Sequence, residues 1–239
     1  MQWPEVVIFD CDGVLVDSEL IALGQMRAAL DAAGLPLTHA QAIDRFLGLS
    51  LDSIVQSAEA DLAAALPASF RADLSQAILE RFVGELKGID GVREAVEGLH
   101  CPVCVASSSS PERIRLSLAV TGYDALFGPH VFSATMAPRG KPHPDLFLYA
   151  ARQMGAAPGQ CLVIEDSAAG VTAAMSAGME VFGFVGGSHF SGAYQAERLS
   201  AAGALVIFDD MGRLPEIVAR RLRERQAHAS AAAQSMKTS

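Results

Sequence analysis

The sequence is poor in aromatic residues and in positive charge. Aromatic side chains make up 6% of the 239 residues, and 18 Lys and Arg stand against 27 Asp and Glu, which gives a formal net charge of -9. No basic stripe is therefore available to neutralise nucleic-acid phosphates, and nucleic acid is not expected as a partner. An acidic protein that binds an anionic ligand needs a local cation, which a metal ion would supply.

The sequence also lacks an apolar run of about 18 residues, the length that spans a membrane. It begins without the basic and apolar segments of a secretion signal, so we expect a cytoplasmic protein with no membrane partner. The four cysteines lie mostly in strand-like runs, as is typical of reduced, buried thiols. Cys101 and Cys104 form a CxxC pattern, but Val103–Ala106 has the composition of a strand, and no second ligand pair accompanies it. We therefore interpret them as core cysteines and not as a redox or zinc site.

Strand-like apolar runs alternate with helix-like segments through most of the chain. Strands are predicted at Val6–Phe9, Val103–Ala106, Leu162–Ile164, Val181–Val185 and Leu205–Ile207. Helices are predicted at Val92–Leu99, Pro111–Val120, Asp145–Met154, Ala168–Ala177 and Arg213–Arg223. This alternation predicts parallel βαβ units in an open, Rossmann-like α/β sheet, with ligands bound beyond the carboxyl ends of the strands.

The pattern changes between residues 16 and 88, where only helical periodicity is present. Helices are predicted there at Leu20–Ala33, Thr38–Phe46, Leu51–Ala65 and Ser69–Leu86. We therefore expect residues 1–15 and 89–224 to form an α/β core domain and residues 16–88 to form a small all-α domain inserted into it. Residues 225–239 contain almost no large apolar side chains, so a disordered tail is predicted.

Two acids follow the first predicted strand, at Asp10 and Asp12, and Gly13 comes directly after them. Side chains two residues apart in extended chain point the same way, so the two carboxylates converge. Glycine lets the backbone turn away without a side chain in the path. Because converging carboxylates repel each other unless a cation or a proton lies between them, this pair is a candidate metal and nucleophile site.

Three further polar stretches follow predicted strands or begin predicted helices. A run of four serines starts at Ser107, Lys141 lies in a proline-framed loop, and Glu165 and Asp166 follow the strand Leu162–Ile164. Each stretch has an ordinary structural explanation: a helix cap, a surface lysine, and acids at a helix start. Beside the Asp10–Asp12 pair, however, hydroxyls, a cation and further carboxylates match an anion site that holds a hard metal ion.

In this order the four motifs resemble those of the haloacid dehalogenase-like hydrolases, and the wording from Asp10 to Glu19 is similar to the branch of β-phosphoglucomutases and sugar-phosphate phosphatases. The resemblance implies that Asp10 attacks phosphorus, that Asp12 is the general acid and base, and that the helical insert is a cap over the site. It also implies phosphate binding by Ser107, Ser108 and Lys141. The implied cofactor is Mg²⁺, with ligands from Asp10, the backbone carbonyl of Asp12, Glu165 and Asp166.

The resemblance implies a phosphatase that acts on a small phosphorylated metabolite, a sugar or sugar-acid phosphate, through an aspartyl-phosphate. A phosphoglucomutase-like mutase is the main alternative. The positions that match its cap histidine and two cap cations are Ala22, Leu47 and Leu51, which favours hydrolysis. Arg45 is the nearby cation that we expect to orient an anionic substrate.

A non-catalytic phosphate-binding protein is the other alternative, but all four motifs are intact. The motifs name neither the substrate nor the oligomeric state, for which a monomer or a weak homo-oligomer is expected.

Overall fold

A parallel sheet forms the centre of the molecule. The computed structural model describes residues 3–46, 51–190 and 193–237, and within these ranges six strands pair in one sheet. In chain order they are β1 Val6–Phe9, β2 Val103–Ser107, β3 Val131–Ser133, β4 Cys161–Glu165, β5 Glu180–Phe184 and β6 Val206–Phe208. Their order across the sheet is β3-β2-β1-β4-β5-β6, and all of these pairings are parallel. Because β1 lies between β2 and β4, the residues that follow these three strands meet at one edge of the sheet.

Five described helices lie between β1 and β2 in the chain, and the first four of them form the helical segment. These four are α1 Glu19–Ala32, α2 His39–Phe46, α3 Leu51–Leu62 and α4 Phe70–Glu85. The described helices of the rest of the chain are α5 Val92–Gly98, α6 Pro111–Thr121, α7 Asp124–Phe127, α8 Asp145–Gln153, α9 Ala168–Ser176, α10 Ala193–Ala202 and α11 Leu214–Lys237. None of the helices in the described ranges is long and apolar enough to span a membrane.

The base of the four-helix segment is closed by backbone contacts. Val16 pairs with Gly88 in an antiparallel bridge, and the backbone N–H of Ile89 donates to the carbonyl of Leu15 at 2.9 Å. The chain therefore leaves the sheet after β1 and returns to the same place, as an insertion requires. The domain boundaries at residues 15/16 and 88/89 stay a prediction.

The two faces of the sheet are buried in two apolar clusters. Val7 and Phe9 of β1 point into one cluster, and Val6 and Ile8 point into the other, as alternation along a strand requires. The first cluster continues through the four-helix segment, where Leu30 and Phe82 are fully buried. Helices on both faces explain why the central strands are apolar throughout.

The C-terminal helix extends into the segment for which the sequence predicts a disordered tail. The sequence predicts a helix that ends at Arg223, whereas α11 continues to Lys237. The Ala, Gln, Arg and Met residues of this segment are strong helix formers and need little apolar burial to extend an anchored helix. The helix is anchored by Leu214 and Val218, which are buried in the first apolar cluster, and by Arg221 and Arg225, which both pair with Glu180 at the start of β5.

Candidate active site

Three carboxylates converge at the carboxyl edge of the sheet. Asp10 follows β1, while Glu165 ends β4 and Asp166 follows it. Each offers an oxygen that lies within 4.8 Å of the others, and all three side chains are buried. The pairing of β1 with β4 produces this arrangement, and the backbone N–H of Asp10 donates to the carbonyl of Ile164 at 2.9 Å. Such a group of buried acids requires positive charge nearby.

Lys141 supplies one positive charge. Its Nζ donates to Asp10 Oδ1 and to Glu165 Oε1, both at 2.6 Å, and its side chain is only 5% exposed. Burial lowers the pKa of Lys141, but the two carboxylates raise it by more, so the amine stays protonated. The loop that carries Lys141 is held in turn by Arg139, which donates to both oxygens of Asp145 at 3.2 and 2.9 Å.

Glu165 is held on both of its oxygens. Oε1 accepts from Lys141, and Oε2 accepts from the backbone N–H groups of Asp166 and Ser167 and from the Ser167 hydroxyl, at 2.9–3.0 Å. Gly170 leaves room for this carboxylate, because a Cβ at that position would lie 1.8 Å from Oε1. Glu165 thus holds Lys141 in place beside Asp10.

Asp10 and Asp166 carry the negative charge that is least compensated. Burial raises the pKa of Asp10 well above its usual value; Lys141 opposes this shift, while Glu165, Asp166 and Asp12 add to it. Burial likewise raises the pKa of Asp166, with Glu165 as the next contribution. A hard cation between the two carboxylates would offset both effects, so the donor set fits a metal ion that prefers oxygen ligands.

Asp12 has a different environment from Asp10. Its Oδ1 accepts from Ser18 Oγ and from Arg113 Nη2, and its Oδ2 accepts from Ser109 Oγ, all at 2.6 Å. Burial raises the pKa of Asp12, but Arg113 and the two hydroxyls lower it by more, so that the pKa lies below its usual value. The described contacts therefore stabilise the ionised carboxylate of Asp12.

The turn after β2 buries one of the two predicted phosphate-binding serines and exposes the other. Ser107 is buried, and its hydroxyl accepts from the backbone N–H of Ser109 at 3.0 Å. Ser133 on β3 secures the same turn by donating to the carbonyl of Ser109 at 2.7 Å. Ser108 is exposed, and it is Ser109 whose hydroxyl reaches Asp12.

The family of the chain follows from a comparison with family models. A model described as haloacid dehalogenase-like hydrolase matches residues 4–178. This chain belongs to the haloacid dehalogenase-like hydrolases. The matched region contains every motif residue described above, from Asp10 to Asp166.

Two curated relatives of this haloacid dehalogenase-like chain are phosphatases. The 6-phosphogluconate phosphatase of Escherichia coli (strain K12) is 31% identical over 186 residues, which cover 77% of this chain and 84% of that protein. A phosphoglycolate phosphatase of Xylella fastidiosa (strain 9a5c) is 32% identical over 182 residues, which cover 74% of this chain and 78% of that protein. The prediction of a phosphatase of this family is thereby confirmed.

A solved structure supports the fold. A conserved haloacid dehalogenase-like protein of unknown function from Agrobacterium tumefaciens str. C58 matches with a TM-score of 0.81 and 38% identity, over 91% of this chain and 98% of that chain. The predicted parallel-sheet α/β fold is thereby confirmed, together with the predicted family.

Arg45 makes its described contacts within the helical segment of this haloacid dehalogenase-like chain, and its role in orienting a substrate stays a prediction. It ends α2 and pairs with Asp61 on α3, and its Nη2 also donates to Ser57 Oγ at 3.3 Å. Its charge is therefore already engaged within the helical segment. Arg113, which the sequence analysis did not select, is the arginine that the structure brings to the site.

His189 is another residue that the structure brings to the site, and the sequence analysis did not select it. It is 8% exposed, and its Nε2 lies 3.3 Å from Asp166 Oδ2. Burial lowers the pKa of His189, while Glu19 and Asp17 raise it by less. The loop that carries it is fastened to the Asp10–Asp12 loop, because the backbone N–H and hydroxyl of Ser188 donate to Asp17 Oδ1 at 3.1 and 2.9 Å.

Gly13 makes room for this arrangement. Its φ of 78° is in the left-handed region, and a Cβ at this position would lie 1.9 Å from Asp166 Oδ2 and 2.9 Å from His189 Cε1. The sequence predicts a turn at Gly13, and the structure adds that Asp166 and His189 fill the space a side chain would need.

A cleft lies between the four-helix segment and α6, and Arg113, which pairs with Asp12, is part of its lining. Its described lining is mostly apolar, with Glu19 and Arg113 at the polar end; the other lining residues include Ala22, Leu23, Leu51 and Ile78. Ala22 and Leu51, where a mutase-like chain would carry polar groups, both line this cleft. The third such position, Leu47, lies outside the described residues.

Proposed function

We propose that this phosphatase hydrolyses the monoester of a small phosphorylated metabolite, a sugar or sugar-acid phosphate, with Mg²⁺ as cofactor and an aspartyl-phosphate as intermediate. The observation that carries the proposal is the buried Asp10 carboxylate, which pairs with Lys141 at 2.6 Å and lies beside Asp166. This arrangement supports the proposal, because the mechanism requires a nucleophile, a fixed cation and a second carboxylate for a metal at one point. The phosphatase relatives support the choice of substrate class.

In this mechanism Asp10 is the nucleophile. One Asp10 oxygen forms a bond to phosphorus as the bond from phosphorus to the ester oxygen breaks. Lys141, held by Glu165, stays protonated and stabilises negative charge on the phosphoryl oxygens, and the Ser107 turn provides further hydrogen-bonding groups. Mg²⁺ held by Asp10 and Asp166 would neutralise charge on the same oxygens and orient the phosphoryl group.

Asp12 handles the protons. When it is protonated it donates to the leaving alkoxide, and the resulting carboxylate then takes a proton from the water that attacks the aspartyl-phosphate. Water releases inorganic phosphate and restores Asp10. The environment of Asp12, which favours the ionised form, suits the second of these half-reactions.

The cleft favours hydrolysis over mutase activity. A mutase has to hold a bisphosphate in two orientations, which requires cations for the phosphate that is not reacting. Arg113 is the one cation in the described lining of the cleft, and Asp12 already pairs with it. Burial of a second phosphate beside Ala22 and Leu51 would therefore be costly.

The test is a screen of phosphorylated metabolites with release of inorganic phosphate as the readout, with and without a chelator. We expect turnover of sugar or sugar-acid phosphates that the chelator abolishes and added Mg²⁺ restores. Incubation with β-glucose 1-phosphate, Mg²⁺ and a trace of glucose 1,6-bisphosphate distinguishes a phosphatase from a mutase. Formation of glucose 6-phosphate faster than inorganic phosphate would identify a mutase, and no turnover of any ester would favour a non-catalytic protein.

A further inference from the structure

We propose that Arg113 is a positioning residue for the Asp12 carboxylate, and that the packing of α4 against α6 sets this position. The inference rests on the proposed role of Asp12 in proton transfer. It adds a link between the helical segment and the chemistry that the four motifs do not contain.

The first support is the number and strength of the contacts on Asp12. Ser18, Ser109 and Arg113 each approach an oxygen of its carboxylate to 2.6 Å, and Arg113 provides the one full charge among them. Charge-assisted hydrogen bonds of this kind are about twice as strong as neutral ones. The two hydroxyls can rotate to other partners, whereas the planar guanidinium fixes a direction. Arg113 is therefore the contact that determines where the carboxylate points.

The second support is the way in which Arg113 itself is held. It lies in the first turn of α6, where its backbone N–H donates to the capping hydroxyl of Ser110 at 3.3 Å. Its guanidinium carbon lies 5.1 Å from the centre of the Phe82 ring. Phe82 is fully buried on α4, so the ring is a fixed surface for the guanidinium plane.

The third support is that the contacts of Arg113 are few and specific. Its Nε is buried and has no hydrogen-bond partner among the described residues. A buried donor without a partner is unfavourable by about 1–3 kcal/mol, so a general structural role would be better served by an apolar side chain. The guanidinium is placed for Asp12 and for the Phe82 ring, at the wall of the cleft.

The chain of contacts therefore runs from α4 through Phe82 and Arg113 to Asp12. If the helical segment shifts relative to α6, the Phe82 ring moves. Arg113 then loses its contact with this ring and is held only by its position in α6. A displacement of about 1 Å in a group that transfers a proton can reduce the rate about 100-fold. The contact thus makes proton transfer by Asp12 sensitive to how α4 is seated.

Two substitutions of Arg113 test the first half of the proposal. Arg113→Met keeps most of the apolar stem and removes the charge, and Arg113→Lys keeps the charge and removes the planar fork. Each is assayed on an alkyl phosphate, whose leaving group needs a proton, and on p-nitrophenyl phosphate, whose leaving group does not. For Arg113→Met we expect kcat/KM to fall about 10- to 100-fold on the alkyl ester and less than about 3-fold on the aryl ester, with Arg113→Lys between it and wild type.

A matched pair on one helix tests the second half. Phe82→Leu removes the ring under Arg113, and Phe70→Leu removes a buried ring of α4 from the same apolar cluster without that contact. We expect Phe82→Leu to lower the alkyl-to-aryl ratio of kcat/KM several-fold, and Phe70→Leu to leave this ratio at the wild-type value, even if both lower the melting temperature alike. Because the ratio is internal to each variant, losses of folded protein cancel.

Equal losses of Arg113→Met on the two esters would overturn the positioning role, since a merely structural residue lowers both rates together. An unchanged ratio in Phe82→Leu would overturn the link to α4. If Arg113→Met does not fold, Arg113→Lys and Phe82→Leu still decide, because both keep a side chain in the same space. A wild-type protein that hydrolyses neither ester would instead refute the proposed function and this inference with it.

Discussion

Asp10 and Asp12 are separated by a single residue, yet the protein surrounds them in opposite ways. Burial, and after it the neighbouring carboxylates, raise the pKa of Asp10, while its partner Lys141 lowers it. Asp12 lies among three donors that lower its pKa. Two acids in such contrasting environments are suited to different tasks, one at the metal and phosphorus and the other in proton transfer.

The two environments are also built from different parts of the chain. The partners of Asp10 come from the end of β4, the residue after it and the loop before α8, so they lie outside the helical segment. The partners of Asp12 include Ser18, which directly precedes α1, and Arg113, whose guanidinium packs against the Phe82 ring of α4. The metal and nucleophile half is therefore expected to survive changes in the helical segment that the proton-transfer half does not.

The largest expected effect is at Asp10. Asp10→Asn removes the attacking oxygen and one candidate metal ligand, so kcat should fall by at least about 10³-fold. Phosphate release on a good substrate measures this. Asp209→Asn, an exposed acid just after β6, is the control and should keep wild-type turnover. An active Asp10→Asn variant would mean that another group is the nucleophile.

The effect at Asp12 should depend on the substrate. Asp12→Asn keeps the shape of the side chain, so the protein should fold, but it can neither donate nor accept the proton. We expect kcat/KM, which reports formation of the aspartyl-phosphate, to fall about 10²- to 10⁴-fold on alkyl phosphates and by less on aryl phosphates. Losses of the same size on both kinds of ester would remove the distinction between the two acids.

A smaller effect is expected at His189, which lies beside Asp166 in the carboxylate group that includes Asp10. His189→Phe keeps the ring and removes the nitrogen that lies 3.3 Å from Asp166, so the dissociation constant for Mg²⁺ should rise about 10-fold. Titration calorimetry on the substrate-free protein measures it. His130→Phe, at an exposed histidine, is the control. An unchanged dissociation constant in His189→Phe would show that His189 does not orient Asp166.

The mildest test is the pH dependence of stability. In the folded protein the pKa values of Asp10 and Asp166 are raised above 3.8, the value expected in the unfolded chain. The stability that this difference contributes is fully present below pH 3.8 and is lost as the pH rises through the raised values. The metal-free protein should therefore become less stable as the pH rises in this range, and Mg²⁺ should raise the melting temperature more at about pH 8 than at about pH 5. Asp12 has the opposite sign, because its lowered pKa contributes stability above 3.8 that is lost as the pH falls. A stabilisation by Mg²⁺ that is independent of pH would contradict this contrast.

The strands could be predicted from sequence because their signals are local. β1 was predicted to the residue, since a run of apolar β-formers precedes two acids and a glycine. β3 and α7 are absent from the prediction, because Val131–Ser133 has only two apolar residues and Asp124–Phe127 is a single turn, too short to show helical periodicity.

The partners of Asp12 could not be predicted, because they depend on contacts between distant segments. Four serines in a row do not reveal which hydroxyl turns inward, and the structure selects Ser109 for Asp12 and leaves Ser108 exposed. Arg113 is 101 positions from Asp12 in the chain and reaches it only because β1 pairs with β2. Arg45, the cation that the sequence predicts to orient a substrate, pairs with Asp61, and this contact also could not be predicted from the sequence.

The measurement that tests the division of roles most directly is the trapping of the intermediate in Asp12→Asn. With p-nitrophenyl phosphate the first half-reaction needs no proton donor, whereas hydrolysis of the aspartyl-phosphate lacks its base. Acid-quenched protein analysed by mass spectrometry should therefore carry one phosphoryl group on the peptide that contains Asp10, with a burst of p-nitrophenol of about one equivalent. The absence of a phosphorylated peptide in a variant that still turns over, or a phosphoryl group on any residue other than Asp10, would contradict the account.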